Sequence, residues 1–378
     1  MKVRLLIISE TLIDGVGKHI IDLLTNLDQE KFDIHVFHSS NRIDEKFKEA
    51  KQRLNKQIHF YQIEELHREI GFYDAKAFVK IYKLMKNIKP NIVHCHSSKA
   101  GVLGRLSAKL QGINQCYYTP HAYAIQNNQL GHVKKTLYTW VERFLGNQCT
   151  SKTINISVGE NKFALQHKLT TKDKSTIIYN CIQKTGDLTE WDIREELGVP
   201  IGALMVGCVA RIYEQKNPYE FIEIAKRVLA TQPDTYFMWI GNGEYKDEVE
   251  AYVKKEKLTN SIHFIGYRKN VDDYLEALDV YLSTSLYEGM PYTVIEALRS
   301  GCPCVVSNVV GNNELVEEDK CGYLYPLGNV EHASLKIIDL LSNEDKRVRF
   351  SAAAVKSFNE NYTLDKMILS HEHLYLKS

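Results

Sequence analysis

Short apolar runs alternate with amphipathic segments along the first half of the chain. The apolar runs have the length of buried strands and lie at 3–9, 32–39, 58–63, 91–97 and 116–120. Apolar residues at helical spacing predict helices at 16–27, 75–88 and 101–110. Strands that alternate with helices are typical of βαβ units, so this half is predicted to form a mostly parallel sheet.

The same alternation starts again after a polar stretch near residues 184–192. The second series predicts strands at 205–211, 236–241, 262–267, 280–285 and 304–307, with helices at 217–230, 244–255, 292–300 and 330–341. We therefore predict two Rossmann-like, doubly wound α/β domains at 1–184 and 185–362, with a helix at 363–378 that packs back on the first. Such sheets bind ligands at the carboxyl ends of their strands, and we expect a cleft between the domains.

Composition fits two ordinary globular domains and excludes several classes of protein. The chain has 378 residues, 44% of them hydrophobic, and a net charge of +1, which argues against a nucleic-acid partner held by a basic field. The apolar run at 5–8 is too short for a membrane span or a signal peptide, so we expect a cytoplasmic protein. The eight scattered cysteines are expected to be buried free thiols.

The stretch from Glu288 to Glu296 carries the most specific chemical signal. Pro291 suits the first turn of a helix that follows a strand, and Gly289 lets the backbone come close to a ligand. The helix N-terminus then offers N–H groups to an anion beside Met290, while Glu288 and Glu296 accept hydrogen bonds from hydroxyl groups. A nucleotide sugar has this layout. Two glutamates eight residues apart would, by themselves, indicate only a solvated face.

Two cations are placed to face the same ligand. Arg211 ends a predicted strand and Lys216 precedes the next predicted helix. The planar guanidinium of Arg211 and the compact charge of Lys216 suit the negative charge of a diphosphate. Gly15 and Gly17 follow the first strand and are predicted to let backbone N–H groups reach a phosphate, although this signal is weak by itself.

The Glu-x7-Glu element resembles that of the retaining glycosyltransferases of family 4, which have the GT-B fold. Other segments resemble the family in the expected order, and they centre on Gly15 and Gly17, His121, Arg211 and Lys216, Gly241, and Gly266 with Tyr267. The sequence departs from the family at Asp14, where a second glycine is usual.

The resemblance implies a reaction and a set of roles. It implies a metal-independent transfer, with retention, of a hexosyl or N-acetylhexosaminyl group from a nucleotide sugar, with UDP favoured over GDP. His121, Arg211, Lys216 and Glu288 would be catalytic, and His121 would face the transferred sugar. The segments around residues 96–101 and 119–123 resemble bacterial capsular and other surface-polysaccharide members. They imply a lipid-linked saccharide acceptor at the inner face of the cytoplasmic membrane.

Two segments and three alternatives stay open. His94 and His96 share one strand face, but the sequence offers no further metal ligand beside them, so we expect a structural role or a position at the edge of the cleft. Residues 132–145 form a basic and aromatic helix that either packs on the sheet or lies on an anionic membrane. The alternatives are transfer to a small soluble acceptor, a UDP-sugar epimerase and a non-catalytic nucleotide-binding regulator.

Overall fold

The computed structural model describes residues 2–67, 71–126, 130–186, 192–200 and 202–377. The chain divides into two compact units. Residues 1–180 and 367–378 form the first unit, and residues 181–366 form the second. Within its described residues, each unit is a parallel sheet with intervening helices, which confirms the predicted α/β class.

Seven parallel strands form the sheet of the first unit in the order β3-β2-β1-β4-β5-β6-β7. They are β1 (Val3–Ser9), β2 (Phe32–Ser39), β3 (His59–Ile63), β4 (Ile92–His96), β5 (Gln115–Thr119), β6 (Lys152–Asn155) and β7 (Ser175–Ile177). The helices between them are α1 (Asp14–Asn26), α2 (Glu45–Leu54), α3 (Tyr73–Ile88), α4 (Ser98–Leu110), α5 (His132–Gln148) and α6 (Val158–Gln166).

Six parallel strands form the sheet of the second unit in the order β10-β9-β8-β11-β12-β13. They are β8 (Met205–Val209), β9 (Tyr236–Ile240), β10 (Ile262–Gly266), β11 (Val280–Ser283), β12 (Cys304–Ser307) and β13 (Gly322–Tyr325). The helices are α7 (Ile193–Glu196), α8 (Pro218–Leu229), α9 (Lys246–Lys255), α10 (Val271–Ala277), α11 (Tyr292–Arg299), α12 (Asn312–Leu315), α13 (Val330–Ser342) and α14 (Glu344–Asn361).

A last helix, α15 (Leu364–Leu376), ends the described chain, and its residues from Met367 onward belong to the first unit. There Tyr375 packs edge-on against Phe32 and donates or accepts a hydrogen bond at His94 Nδ1, 2.7 Å away. Glu372 accepts hydrogen bonds from the Asp28 backbone N–H and from Lys31 Nζ. These contacts join the end of the chain to the sheet of the first unit.

The sequence pattern located the central strands better than the outer elements. Strands β1, β2 and β12 have the predicted bounds, because continuous apolar runs define them. The pattern missed β6, β7 and β13, which have three or four residues each, and it missed α2 and α14, whose exposed faces carry many charges. All eight cysteines are buried free thiols, as predicted.

Helix α5 is oriented by a charged side chain on its buried face. Glu142 accepts a hydrogen bond from Arg105 Nη2 at 2.8 Å and another from the Tyr118 hydroxyl at 3.1 Å. The Arg105 guanidinium lies 3.7 Å from the centre of the Tyr118 ring and is fully buried. Gly146 approaches so closely that an added Cβ would lie 1.9 Å from the Leu169 carbonyl oxygen. A charged pair and a bare backbone therefore fix which face of α5 points inward.

We expect Glu142→Gln to lower the free energy of unfolding of the first unit by about 3 kcal/mol, because it leaves the buried Arg105 charge without its partner. Urea unfolding followed by circular dichroism measures the change. The matched control is Glu45→Gln, which breaks the exposed Lys48–Glu45 pair and should cost less than about 1 kcal/mol. Equal losses in the two variants would contradict the role given to the buried pair.

Candidate functional site

The candidate site residues of the first unit follow strands at the centre of its sheet. Strand β1 pairs with β2 on one side and with β4 on the other, so the strand order reverses between β1 and β4. Open parallel sheets bind ligands at the carboxyl ends of the strands at such a point. His19 lies in the helix after β1, His96 ends β4, and His121 follows β5.

His121 lies close to two other histidines and is held in an unusual backbone conformation. Its φ is 53° and that of Ala122 is 85°, both in the left-handed region that non-glycine residues avoid. The Ala122 N–H donates to Glu160 Oε1 at 2.7 Å, and Glu160 Oε2 accepts from the Ile156 N–H. This buried carboxylate fixes the turn that carries His121. Strained backbone held in this way is common at functional sites.

Five histidines gather around this point, and burial keeps them neutral. The His121 Nε2 and His96 Nδ1 atoms are 3.0 Å apart, and the His19 ring meets the His121 ring edge-on with centroids 4.8 Å apart. Burial, followed by the charge of His371, lowers the pKa of His121 to about 3. Burial also lowers the pKa values of His19, His94 and His96 well below their ordinary value.

His94 and His96 do lie side by side on one strand face, with ring centroids 4.0 Å apart. The sequence offered no third ligand beside them, yet the structure brings His19 and His121 to His96. His94 has a structural role, because both of its ring nitrogens form hydrogen bonds, Nδ1 with the Tyr375 hydroxyl and Nε2 with Thr119 Oγ1.

The two glycines after β1 lie in the first turn of a helix and not in a loop before it. Helix α1 begins at Asp14, whose φ is 53°, so Gly15 and Gly17 are both helical. A Cβ at Gly17 would lie 2.7 Å from the backbone carbon of Leu12. Gly17 therefore allows close packing of the chain as it enters α1, which is a structural reason for this glycine in addition to the predicted phosphate contact.

In the second unit the strand order reverses between β8 and β11, and the predicted catalytic pair lies after these two strands. Lys216 Nζ forms an ion pair with Glu288 Oε1, and their side chains are 17% and 8% exposed. Burial would lower the pKa of Lys216, but the charge of Glu288 and the hydrogen bond to it outweigh burial and raise it. Lys216 therefore stays positively charged at neutral pH.

Hydrogen bonds tie the two loops that carry this pair to each other. Thr284 Oγ1 donates to the Lys216 carbonyl oxygen at 2.8 Å, the Leu286 N–H donates to the Gln215 carbonyl oxygen, and Gln215 Nε2 donates to the Tyr287 carbonyl oxygen. Lys216 ends a short 3-10 helix, Glu214–Lys216, before the left-handed Asn217. The pair is thus held by backbone contacts as well as by its charges.

Arg211 lies on the surface of the second unit after β8. Its guanidinium stacks over the Tyr213 ring at 4.6 Å and Nη2 donates to the Tyr213 hydroxyl at 3.2 Å. The Tyr213 hydroxyl in turn donates to Gln215 Oε1. This series of contacts links Arg211 to the loop that carries Lys216.

Helix α11 begins at the predicted residue and ends one residue before the predicted end, but Pro291 is not in its first turn. It starts at Tyr292, so Pro291 is the residue before the first turn, and Gly301, with φ 68°, follows its end as expected. Glu296 lies in the second turn of α11 and Met290 is buried. A Cβ at Gly311 would lie 2.6 Å from the Gly289 carbonyl oxygen, so backbone packs on backbone at the start of this helix.

The remaining predicted ligand-binding residues follow β9 and β10. Gly241 has φ 141° and leaves no room for a Cβ, which would lie 2.0 Å from the Ala210 carbonyl oxygen. Gly266 has φ 75°, its carbonyl oxygen accepts from the Gly241 N–H, and Tyr267 after it is exposed. The two glycines thus join the ends of adjacent strands.

Sequence reasoning missed several residues that support these sites. Glu10, directly after β1, accepts from the Lys99 and Ala100 N–H groups at the start of α4, and burial raises its pKa. Glu160 holds the His121 turn from a helix that the pattern did not reveal. A charged residue directly after an apolar strand was the available signal for Glu10. The sequence carries no comparable signal for Glu160.

Comparisons with known proteins cover both halves of the chain. Residues 13–184 match the family profile described as "Glycosyltransferase Family 4", and residues 189–357 match "Glycosyl transferases group 1". The Escherichia coli UDP-Gal:alpha-D-GlcNAc-diphosphoundecaprenol alpha-1,3-galactosyltransferase is 30% identical over 328 residues, which are 85% of this chain and 83% of the relative. The Escherichia coli O-antigen biosynthesis glycosyltransferase WclY is 26% identical over 53% of this chain and 55% of its own.

A solved structure shares the fold. The crystal structure of Anabaena Alr3699/HepE in complex with UDP and glucose matches with a TM-score of 0.82 at 17% identity, over 100% of both chains. At this identity the likeness establishes the fold, which is GT-B.

Proposed function

The chain belongs to glycosyltransferase family 4, and from this premise we propose that it moves a sugar from a UDP-sugar to a lipid-linked saccharide with retention of anomeric configuration. The observation that carries the proposal is the Lys216–Glu288 pair at the point where the strand order reverses in the second unit. One carboxylate and one cation at this edge suit a ligand with hydroxyl groups beside a diphosphate. The relative that transfers from UDP-Gal supports a hexosyl donor, and its named acceptor supports a diphospholipid-linked saccharide.

We propose that the chain stabilises the leaving diphosphate. Lys216 remains charged because of Glu288, and Arg211 offers a planar fork from the same loop region. Cations placed where negative charge develops lower the barrier by several kcal/mol in a site that excludes water. Glu288 and Glu296 are proposed to accept hydrogen bonds from donor hydroxyl groups. The backbone from Gly289 to Pro291, with Gly241, Gly266 and Tyr267, is proposed to line the donor site.

In the proposed reaction the acceptor oxygen attacks the anomeric carbon on the face that the diphosphate leaves. The new carbon–oxygen bond forms as the bond to the phosphate oxygen breaks, and the acceptor proton passes to the departing phosphate. Such a transfer passes through an oxocarbenium-like state. His121, neutral and held in its strained turn, is proposed to contact the transferred sugar, and Gly15 and Gly17 to admit a phosphate. We propose that this transfer needs no metal ion.

We further propose that α5 seats the protein on an anionic membrane. Four large apolar side chains at spacings of four, three and four residues form one stripe of this helix, and all are exposed: Val133, Leu137, Trp140 and Phe144. Val133 is 84% and Trp140 is 63% exposed. The exposed Lys134 and Arg143 flank the stripe. An apolar stripe with basic borders suits the boundary between lipid headgroups and acyl chains.

Helix α5 packs on the first unit through the face that carries Glu142, Leu145 and Gly146, so this packing leaves the apolar stripe available for the proposed membrane contact. Among the helices of the described residues, none combines the length and the hydropathy needed to cross a bilayer. Peripheral contact at the inner face of the cytoplasmic membrane is therefore the form of membrane association that we propose.

We expect one UDP-hexose to raise the melting temperature and to release UDP slowly without acceptor, and faster with a diphospholipid-linked N-acetylglucosamine. Nuclear magnetic resonance of the product should show the anomeric configuration of the donor, and a chelator should not slow the reaction. The donor panel begins with UDP-galactose and includes GDP-sugars as controls.

An inverted anomer would overturn the same-face mechanism. A changed sugar with no release of nucleotide would indicate an epimerase, and binding with no reaction would indicate a regulator.

We expect Lys216→Met to lower kcat/KM by about 10²–10³-fold, because it removes a cation from the developing diphosphate charge. The matched control is Lys226→Met on α8, which breaks the surface ion pair with Glu256 and should change kcat/KM less than about twofold. Melting temperatures of both variants show whether each remains folded. A folded Lys216→Met variant with the activity of the control would remove the main support for this site.

We expect a Leu137→Gln, Trp140→Gln double variant to bind vesicles that contain phosphatidylglycerol at least about tenfold more weakly, because two large apolar contacts with the bilayer are lost. Sedimentation with vesicles measures the binding. The control is a Leu335→Gln, Val348→Gln double variant, which changes two exposed apolar residues of other helices. If both double variants bind as the unchanged protein does, α5 is not the membrane contact.

A further inference from the structure

The histidines at the centre of the first unit leave ring nitrogens without partners. One ring nitrogen from each of His19, His96 and His121 lies within 4.8 Å of those of the other two. His19 and His96 are fully buried, and the Nε2 atom of each has no hydrogen-bond partner among the residues that the structure describes. An unpaired buried polar atom is costly and requires an explanation.

Neighbouring groups set the protonation of the His19 ring. The His19 Nδ1 atom lies 3.2 Å from Asn180 Oδ1, and an amide oxygen only accepts hydrogen bonds. Nδ1 therefore carries the proton, and Nε2 has a bare lone pair. A hydrogen bond of this kind to the far nitrogen is the usual way in which proteins orient a metal-binding histidine.

The buried rings require no deprotonation before they bind a cation. Burial lowers the pKa of His121 to about 3 and those of His19 and His96 well below their ordinary value. All three imidazoles are neutral at pH 7, and neutral imidazole is the form that coordinates transition metals.

We propose that His19, His96 and His121 form a binding site for Zn²⁺, or for a similar transition-metal ion that prefers imidazole ligands, with a fourth position open. Zinc bonds to histidine nitrogen at about 2.0–2.1 Å, which places tetrahedral ligand atoms about 3.3 Å apart. The three nitrogens must therefore approach by about 1.5 Å or less. His121 is half-buried, so its ring has room to move. When the metal binds, bonds from the two rings to the metal replace the hydrogen bond between His121 and His96.

The other histidines near this cluster are not ligands in the proposal. Tyr375 and Thr119 occupy both ring nitrogens of His94. In a second group, the possible ligand atoms of Asp33, His35 and His59 also lie within 4.8 Å of one another. Its members lie nearer the surface, and Asp33 already pairs with both histidines. The buried cluster is the stronger candidate because the lone pair of His19 Nε2 has no partner among the described residues.

Zinc at this site inhibits the enzyme, because it coordinates the His121 ring, which is proposed to contact the transferred sugar. This consequence rests on the proposed function, whereas the binding of zinc does not. The metal-independent transfer and the inhibitory site are compatible, since a chelator would then leave the reaction unchanged or accelerate it.

The test titrates Zn²⁺ into the full-length, metal-free protein against a chromophoric chelator. We expect one tightly bound Zn²⁺ per chain, and at least about tenfold weaker binding in His19→Phe and in His96→Phe. The matched control is His59→Phe, in the group of Asp33, His35 and His59, which should bind zinc as the unchanged protein does. His19→Phe should also raise the zinc concentration that half-inhibits sugar transfer by about tenfold or more.

If the variants unfold, the site is tested instead in a crystal of the unchanged protein that has been soaked in Zn²⁺. Anomalous scattering between the three rings supports the site. Zinc found at Asp33, His35 and His59 instead, or no bound zinc, overturns it. If zinc binds between the rings but no sugar transfer is found with any donor, the proposed function fails and the site stands. If transfer proceeds and zinc does not bind, the site alone fails.

Discussion

The parallel arrangement of strands is the constraint on which both candidate sites depend. All carboxyl ends of a parallel sheet lie at one edge, and where the strand order reverses, the crossovers turn to opposite faces and leave that edge open. In the second unit this happens between β8 and β11, and it brings Lys216 and Glu288 together although 72 residues separate them. In the first unit it happens between β1 and β4, and His96 ends one of these strands while His19 lies in the helix after the other.

The two candidate sites, one in each unit, stabilise their buried polar groups in opposite ways. The second keeps its groups charged by pairing, and the ion pair raises the pKa of Lys216 despite burial. The first keeps its histidines neutral by removing water from them, since burial is the largest cause of each lowered pKa. A paired cation suits the stabilisation of a diphosphate. Neutral imidazoles suit contacts with hydroxyl groups or with a metal ion.

The sequence predicted the parts of the molecule that local pattern determines. Apolar runs located the central strands, and the spacing within residues 288–296 located Glu288 on the loop before α11. It did not reveal that His19 would meet His96, because the two residues are 77 positions apart and it is the pairing of β1 with β4 that brings their elements together. Nor did it reveal the support of the His121 turn by Glu160, which depends on a helix without clear periodicity.

Helix α5 shows most clearly why periodicity alone is insufficient. Its sequence predicts one apolar stripe, and burial of that stripe against the sheet would ordinarily be the stable arrangement. The structure has the reverse: Glu142 points inward to Arg105, while Trp140 and Phe144 stack on each other in the open with ring centroids 6.1 Å apart. A buried ion pair contributes little net stability by comparison with apolar packing, so the fold gains little from this orientation. The anionic membrane that we propose as the partner of α5 would cover the exposed stripe, and the flanking cations suit such a surface.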